Sequence, residues 1–451
     1  MEWQKLLKNS YSNGGNKLYN IAEKTFKEAL KHAQNVEIYI QREKTLEVDI
    51  QRDRIDLAKE QHLTGLGLRV IEDKRMGFSY TTDMNRIEDA IEAAVFNMRA
   101  NEADENFKFS KPSHYPHVKK IYDKSFHDLE VADVHEFAER MINTVFDEGC
   151  EPTSGGFTAS HLQTLLLNSN GVETEYKSTG FSAHISVNAK ENNFKSTAYE
   201  SDASCLMSLE PEKISQAACK IAKNSIGGER VETDDMSILL DYHAINGILA
   251  TFTSAINADN VQRGRSYLRD KIGEEVANPE MNIYDDGRIT GGLYSAPIDD
   301  EGTPSQRTPI IEKGILKNFI YDLYTASKGK VESTGNGMRS SFSSIPTVLT
   351  TNIILDFQDK IKIEDIRRGM LVTDVLGAHT ANPISGDFSL EANNPFFIEN
   401  GEIKYPIKKA MISGNLFNIL KQIKMIDSRI RQIGTFITPR ILIETIRVIG
   451  G

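Results

Sequence analysis

The spacing of hydrophobic residues changes twice along the first hundred positions. Apolar residues recur at helical spacing over 18–33, and strict alternation follows over 36–50 and again over 66–81. A turn signal, Asp73–Lys74, interrupts the second alternating stretch. Helical spacing then returns over 84–101. The pattern predicts a helix, a meander of strands and a second helix, which together form an N-terminal α+β unit.

The next part of the chain repeats this mixture of helix and strand. A polar stretch over 101–117 predicts a linker, and a helix is expected over 129–148. Strands over 162–167 and 172–176 flank Asn170–Gly171, which is a hairpin signal, and 181–189 predicts a further strand. A helix over 212–225 completes the unit.

The remaining sequence opens with a strand over 237–240 and a helix whose apolar stripe runs from Ile245 to Ile256, and it is mostly β thereafter. Asp286–Gly287, Lys313–Gly314 and Asn400–Gly401 are each flanked by strand-like runs, which predicts hairpins. The predicted fold is therefore α+β. Its three parts are an N-terminal strand and helix domain (1–110), a central α+β domain (118–228) and a larger, mostly β, hairpin-rich C-terminal domain (234–451).

Charge and cysteine usage restrict the class of protein. Lys and Arg total 53 against 64 Asp and Glu, a formal charge of −11 that disfavours direct contact with nucleic acid. Cys150, Cys205 and Cys219 show no C-x-x-C spacing, which indicates a reducing compartment. No stretch is long and apolar enough for a membrane span, and the first residues are polar. We expect a cytoplasmic protein without membrane contact.

The histidines do not form a recognisable metal motif. His135–Glu136 begins like H-E-x-x-H, but Glu139 occupies the second histidine position, so a solvated helix face is the favoured interpretation. His243 follows Asp241, a plausible N-cap residue, and a role at the helix terminus is favoured over metal binding.

Two short motifs combine glycine with charged residues. Asp299, Asp300 and Glu301 precede a glycine; they could bind a cation or share a proton, but a tight turn with solvent-facing charges is favoured. The run STGNGMRSS contains Arg339 after two glycines, Gly335 and Gly337, and could form an anion-holding loop. His379 lies in a loop of small polar residues that could contact substrate, although a structural role is favoured.

Several longer motifs together resemble one family. They are PIDDEGTPSQRTPIIEKGILKNFIYD, STGNGMRSS, SGDFS, FFIENGEIKYPI and ISGNLF, and the N-terminal run LTGLGLRVIEDKRMGFSYTT extends the likeness over nearly the whole chain. This set resembles the TldD/PmbA family, once described as modulators of DNA gyrase and now regarded as metallopeptidases.

The resemblance implies a PmbA (TldE) type of subunit. TldD-type members carry His-Glu-x-x-x-His on a helix and a Cys near the C-terminus, and the matching positions here are Thr251, Phe252, Ile256 and Ile433. Phe and Ile cannot coordinate zinc. The resemblance therefore implies no catalytic residue, metal or cofactor in this chain, with zinc held by a TldD-like partner.

The expected function belongs to the pair, which would process unfolded or extended peptides. Asn336, Arg339 and His379 are the candidate substrate-lining residues, and a homodimer is possible without the partner. Two alternatives remain open: a gyrase-modulating binding protein without peptidase activity, and a stand-alone peptidase that uses an unrecognised site such as the carboxylates of 299–301.

Overall fold

The computed structural model describes residues 15–358, 360–426 and 429–451. The first two parts of the chain largely follow the predicted order of helices and strands. Two differences are that strand β6 was not predicted and that the predicted strands over 172–176 and 181–189 form one long strand, β5. These elements are α1 (Gly15–Ala29), β1 (Asn35–Gln51), β2 (Arg54–Glu72), β3 (Arg75–Thr81), α2 (Ile87–Ala100), α3 (Val131–Asp147), β4 (Glu151–Asn168), β5 (Glu173–Glu191), β6 (Phe194–Ser204) and α4 (Pro211–Asn224).

A single antiparallel sheet runs through both of these parts, in the order β3-β2-β1-β4-β5-β6. Its centre is the pairing of β1 with β4, which extends from Glu37 opposite Asn168 to Gln51 opposite Ser154. The two strands lie on opposite sides of the predicted linker, yet their backbone groups are hydrogen-bonded over their length. The strands of the predicted N-terminal domain (1–110) and of the predicted central domain (118–228) therefore form one layer.

One face of β1 contributes to two hydrophobic cores. The even-numbered side chains point to the same side, because successive residues of a strand alternate. They divide between the cores as follows: Val36, Ile38 and Ile40 pack with α1 and α2, and Leu46, Val48 and Ile50 pack with α3 and α4. The alternation predicted from the sequence is confirmed, and its length explains how one strand supports two pairs of helices.

The C-terminal part is β-rich, as predicted. Its elements are β7 (Asp234–Leu240), α5 (Tyr242–Ile256), α6 (Ala258–Gln262), β8 (Met281–Asp286), β9 (Arg307–Glu312), β10 (Ile315–Leu316), α7 (Leu323–Gly329), β11 (Gly337–Met338), β12 (Thr347–Val348), β13 (Ile353–Phe357), β14 (Arg368–Leu376), β15 (Asp387–Glu399), β16 (Glu402–Pro406), β17 (Ala410–Asn415), α8 (Leu416–Ile419), β18 (Ile423–Met425), β19 (Arg431–Ile433), β20 (Phe436–Thr438) and β21 (Ile441–Gly450). Short 3-10 turns occur at Lys124–Asp128, Ile363–Asp365 and Ala378–Thr380.

Two sheets enclose the large C-terminal core. In one sheet the order is β14-β7-β21-β17-β15-β16, and β14 also pairs with β15, so five strands close into a ring. The other sheet has the order β10-β9-β8-β13-β20-β19. Helix α5 packs against β14 and β19, and its apolar side chains belong to the core that both sheets share. The helix is thus held between the two sheets.

Two of the three hairpins predicted in the C-terminal part are confirmed. Lys313–Gly314 and Asn400–Gly401 connect neighbouring antiparallel strands, and all four residues have positive φ, as a two-residue I′ turn requires. The prediction at Asp286–Gly287 is wrong. Strands β8 and β9 do pair, but residues 287–306 connect them, and this long loop carries the three adjacent carboxylates of 299–301.

None of the helices in the described part of the chain combines the length and the hydropathy that a membrane crossing requires.

Candidate functional site

Helix α5 carries three of the four positions that the resemblance matches to zinc-site residues of TldD-type proteins, namely Thr251, Phe252 and Ile256. It begins after Asp241, whose carboxylate accepts a hydrogen bond from the N–H of Tyr242, so the predicted N-cap is confirmed. Thr251 is 8% exposed, Phe252 is 1% exposed and Ile256 is fully buried. Phe252 and Ile256 lie in the large C-terminal core. The helix therefore uses these positions for packing.

The fourth position, Ile433, ends β19, which packs against α5. Zinc needs N, S or O donors, and neither the isoleucines nor Phe252 has a lone pair to offer. Within the described ranges, no three His, Cys, Asp or Glu side chains are placed so that they could hold a metal ion. The residues at these positions do not fit a zinc ion.

The N-terminal end of α5 is tied to the N-terminal sheet by a buried ionic cluster. His243 Nε2 lies 2.8 Å from Oε1 of Glu200 on β6, and Arg431 Nη2 donates to the same oxygen at 2.8 Å. His243 was expected to act at the helix terminus, and the structure shows this interaction with Glu200 instead. Burial opposes ionisation of Glu200, but the hydrogen bond from His243 and the charge of Arg431 outweigh it and lower the pKa of Glu200 to about 2.

Glu200→Gln is expected to destabilise the protein at neutral pH by about 3 kcal/mol, since each unit of pKa shift corresponds to about 1.4 kcal/mol. Because the pKa is lower in the folded state, this contribution is present above the usual Glu pKa of 4.5 and is lost as the pH falls towards 2. Urea unfolding at several pH values measures it. A difference between wild type and variant that stays constant from pH 7 to pH 3 would contradict the assignment.

The carboxylates of the loop over 287–306 are buried. The sequence favoured a turn with solvent-facing charges, but Asp299, Asp300 and Glu301 are 1%, 6% and 2% exposed. Asp299 accepts hydrogen bonds from the backbone N–H groups of Glu301, Thr303 and Gly337 at 3.0, 2.8 and 2.9 Å. The predicted solvent exposure is therefore wrong, because backbone groups replace water around these oxygens.

Asp300 and Glu301 join this loop to the N-terminal sheet. Asp300 accepts hydrogen bonds from the Tyr39 hydroxyl at 3.0 Å and from the Arg339 backbone N–H at 2.8 Å. Glu301 accepts from Arg69 Nη1 at 3.3 Å and from the first backbone N–H of α7 at 2.7 Å. The loop is thus bonded both to β1 and β2 and to the C-terminal part.

Glu37 is the centre of the same network. Its carboxylate accepts from Arg69 Nε at 2.7 Å and Nη2 at 2.8 Å, and from Arg339 Nη2 at 2.6 Å. The side chains of Glu37 and Arg339 are 0% and 1% exposed. A buried carboxylate that bridges two buried arginines fixes the C-terminal part against the odd-numbered face of β1.

Burial raises the pKa values of Asp299 and Glu301, two acids of this network. Burial is the main cause that raises the pKa of Glu301 to about 7, against the opposing charge of Arg69. Burial and the negative charge of Glu301 hold the pKa of Asp299 well above its usual range. Neighbouring carboxyls of this kind can share a proton, which was the alternative left open by the sequence.

The structure separates the three predicted substrate-lining residues. Asn336 is fully buried and donates to Asp285 at 2.8 Å and to the Leu349 carbonyl at 2.9 Å. Arg339 is also buried, in the network around Glu37, and the predicted contact of both side chains with substrate stays a prediction. His379 is exposed, in the 3-10 turn Ala378–Thr380 that packs against α5 at Gly247. Its contact with substrate stays a prediction.

The sequence reasoning missed Glu37, Tyr39 and Arg69. One signal was available. The start of β1 reads VEIYI, in which the aromatic residue Tyr39 lies on the face of the strand that otherwise carries polar residues. That signal indicates a strand buried on both sides. The partners of Glu37 could not be inferred, because Arg339 lies 302 positions away.

His135 and Glu139 lie 3.7 Å apart on an exposed helix face, so the predicted solvated role is confirmed.

Comparison with known proteins identifies the family. Three family models match the chain in order: PmbA/TldA metallopeptidase domain 1 over residues 36–97, the PmbA/TldA metallopeptidase central domain over 124–226, and the PmbA/TldA metallopeptidase C-terminal domain over 233–450. The chain belongs to the PmbA/TldD metallopeptidase family, as the sequence motifs predicted.

Individual relatives agree over the full length. An uncharacterised protein from Methanocaldococcus jannaschii is 32% identical over 94% of this chain and 98% of its own. A metalloprotease PmbA homologue from Buchnera aphidicola is 25% identical over 96% of this chain and 97% of its own. The crystal structure of TldE from Thermococcus kodakarensis has the same fold, with a TM-score of 0.89, 24% identity and coverage of 95% and 100% of the two chains. A metalloprotease TldD homologue from Buchnera aphidicola is 33% identical over 39% of this chain and 37% of its own.

Proposed function

We propose that this chain is the PmbA/TldE-type subunit of a two-protein metallopeptidase and carries no zinc of its own. The observation that supports this proposal is the burial of Phe252 and Ile256, apolar side chains at positions where TldD-type relatives have the base and a ligand. The TldD-like partner supplies zinc, and the pair processes unfolded or extended peptides in the cytoplasm.

A complementation assay tests the proposal. The purified chain is expected to contain no stoichiometric zinc by elemental analysis and to leave an unfolded peptide intact. Addition of a TldD-like protein from the same organism is expected to give chelator-sensitive cleavage above that of the TldD-like protein alone. A TldD-like variant with Gln in place of the Glu of its His-Glu-x-x-x-His helix is the matched control. Chelator-sensitive cleavage by the purified chain alone would remove the proposal.

The two alternative functions receive less support. A stand-alone peptidase would use the carboxylates of 299–301, and Glu301 does border a pocket of about 270 Å³, but it is only 2% exposed and already hydrogen-bonded. A gyrase-modulating protein that touches DNA would have to overcome the formal charge of −11.

A further inference from the structure

A pocket of about 270 Å³ lies where strands β2 and β3 of the N-terminal sheet meet α6, α7 and β12. This is the pocket that Glu301 borders. Its volume is close to the lower end of the range of about 300–1,000 Å³ that is typical of small-molecule sites. The pocket therefore suits a group of about the size of one amino-acid residue.

The carboxylate of Asp322 lines this pocket, and the protein uses only one of its two oxygens. Asp322 is the N-cap of α7, and its Oδ1 accepts hydrogen bonds from the backbone N–H and the hydroxyl of Thr325 at 2.7 and 2.6 Å. No residue in the described part of the chain donates a hydrogen bond to its Oδ2. This oxygen is not fully buried, so it faces the pocket. Because Asp322 as a whole is only 5% exposed, a ligand that donates a hydrogen bond would replace hydration that the oxygen largely lacks.

Positive charge is scarce around this oxygen. The pocket is lined by three acidic and two basic side chains: Asp259, Glu301, Asp322, Arg69 and Arg263. Arg263 pairs with Asp259, with Nε 2.8 Å from Oδ2. Arg69 donates two hydrogen bonds to Glu37, at 2.7 and 2.8 Å, and a longer one of 3.3 Å to Glu301. Both arginines are thus engaged by other acids, and neither of them pairs with Asp322.

The pKa of Glu301 agrees with this scarcity. Burial is the main cause that raises the pKa of Glu301 to about 7, and the negative charges of Asp322 and Glu37 raise it further, although Arg69 opposes them. Each carboxylate oxygen of Glu301 already accepts one hydrogen bond, from Arg69 or from the Leu323 N–H. A cation in the pocket would offset the repulsion between Glu301 and Asp322 without displacing these bonds.

Much of the remaining lining is apolar. Its apolar side chains are Met76, Phe107, Ile345, Pro346 and Val348. The ring of Phe107 stacks on that of Tyr324, with ring centres 5.2 Å apart, and aromatic rings attract cations. The ammonium of Lys328 lies 5.3 Å from the centre of the Tyr324 ring, but Lys328 is exposed and does not line the pocket. A ligand that combined a cationic group with an adjoining apolar group would contact both kinds of lining.

We propose that this pocket binds a primary ammonium group with an adjoining apolar group, as in the amino-terminal residue of a peptide, and that the ammonium donates to Oδ2 of Asp322. An ammonium group has three donors and no acceptor, which matches carboxylate oxygens. A metal ion fits less well, since the described residues include no three His, Cys, Asp or Glu side chains placed to hold one. The assignment of the ligand as a peptide rests on the proposed function. The chemistry required, an organic ammonium, follows from the lining alone.

Calorimetry with the isolated full-length chain at neutral pH tests the site. The probes are leucinamide, N-acetyl-leucinamide and N-acetyl-lysinamide. Leucinamide carries an ammonium and no carboxylate, and it is expected to bind at least about tenfold more tightly than its uncharged N-acetyl form. N-acetyl-lysinamide carries its ammonium on the side chain. Tighter binding of leucinamide than of this probe would identify the amino terminus as the source of the ammonium, and equal binding would identify an ammonium of either source.

Two variants, each with a matched control, locate the binding. Asp322→Asn keeps an oxygen that can cap α7 but removes the charge, and it is expected to weaken leucinamide binding by at least about tenfold. Its control is Asp123→Asn, at the N-cap of the 3-10 turn Lys124–Asp128 and outside the pocket.

Ile345→Lys places a cation at a position that lines the pocket and is 41% exposed, so it tests the site without changing a buried group. Repulsion is expected to weaken leucinamide binding by about tenfold. Its control, Ile272→Lys, makes the same change at a residue that is 56% exposed and does not line the pocket. Thermal unfolding checks that each variant is folded.

Three results would overturn the proposal: equal affinity for leucinamide and N-acetyl-leucinamide, no binding of either ammonium probe, or equal effects of a folded pocket variant and its control. Each concerns the isolated chain, whereas the complementation assay needs the partner. Failure here therefore leaves the proposed role in the complex standing, and failure of complementation leaves this binding result standing.

Discussion

Glu37→Ala is expected to lower the free energy of unfolding by about 3–5 kcal/mol. The substitution leaves the guanidinium groups of Arg69 and Arg339 buried without their shared carboxylate. Buried charges that lose their partner retain the full cost of removal from water. Urea unfolding at neutral pH, followed by circular dichroism, measures the change.

The matched control is Glu47→Ala, on the same strand. Its carboxylate pairs with Lys59 at 2.9 Å, but the two side chains are 30% and 40% exposed. An exposed pair contributes about 0–1 kcal/mol, so this variant should unfold close to wild type. If Glu37→Ala unfolds at the same urea concentration as the control, the network does not hold the two parts of the protein together.

Ile256→His, which restores one zinc-ligand residue to α5, is expected to destabilise the protein by about 3–5 kcal/mol. The position is fully buried in the large C-terminal core, so the change removes apolar contacts and places an unpaired imidazole there. Added zinc should not raise the melting temperature, since Phe252 and Ile433 provide no further ligand. Differential scanning calorimetry with and without zinc measures both effects.

Ile256→Val is the control for Ile256→His, because it keeps the site apolar and removes one methylene at a cost of about 0.5–1.5 kcal/mol. A variant Ile256→His that was as stable as Ile256→Val, or one that zinc stabilised, would show that this face of α5 opens to a site. The proposal of a metal-free subunit would then need revision.

Local pattern was sufficient for much of the fold. The alternation over 36–50 correctly predicted strand β1, and helical spacing correctly predicted α2 to α5 within a few residues. The hairpin predicted at Lys313–Gly314 is confirmed, and both residues have the positive φ that its turn requires. The hairpin predicted at Asp286–Gly287 is wrong. The same dipeptide can begin a long loop, and nothing in the neighbouring sequence shows how far away the next strand begins.

The candidate sites were less predictable. A run of three acidic residues usually lies in solvent, and the burial of residues 299–301 depends on donors from three distant segments: β1, β2 and the loop that contains Arg339. The same holds for Glu200, whose partners His243 and Arg431 are 43 and 231 positions away. Periodicity in the sequence relates residues that are only a few positions apart, so it could not reveal contacts between residues this far apart.

The amino-acid sequence alone excludes phenylalanine and isoleucine as zinc ligands, because donor chemistry is a property of the residue and does not depend on the fold. It also determined the family motifs and the alternation of β1. The folded structure was needed to show that β1 joins two helical layers in one sheet, that Glu37 bridges two arginines, and that basic side chains near Tyr242 line a pocket. These features depend on contacts between distant segments, and such contacts exist only after the chain has folded.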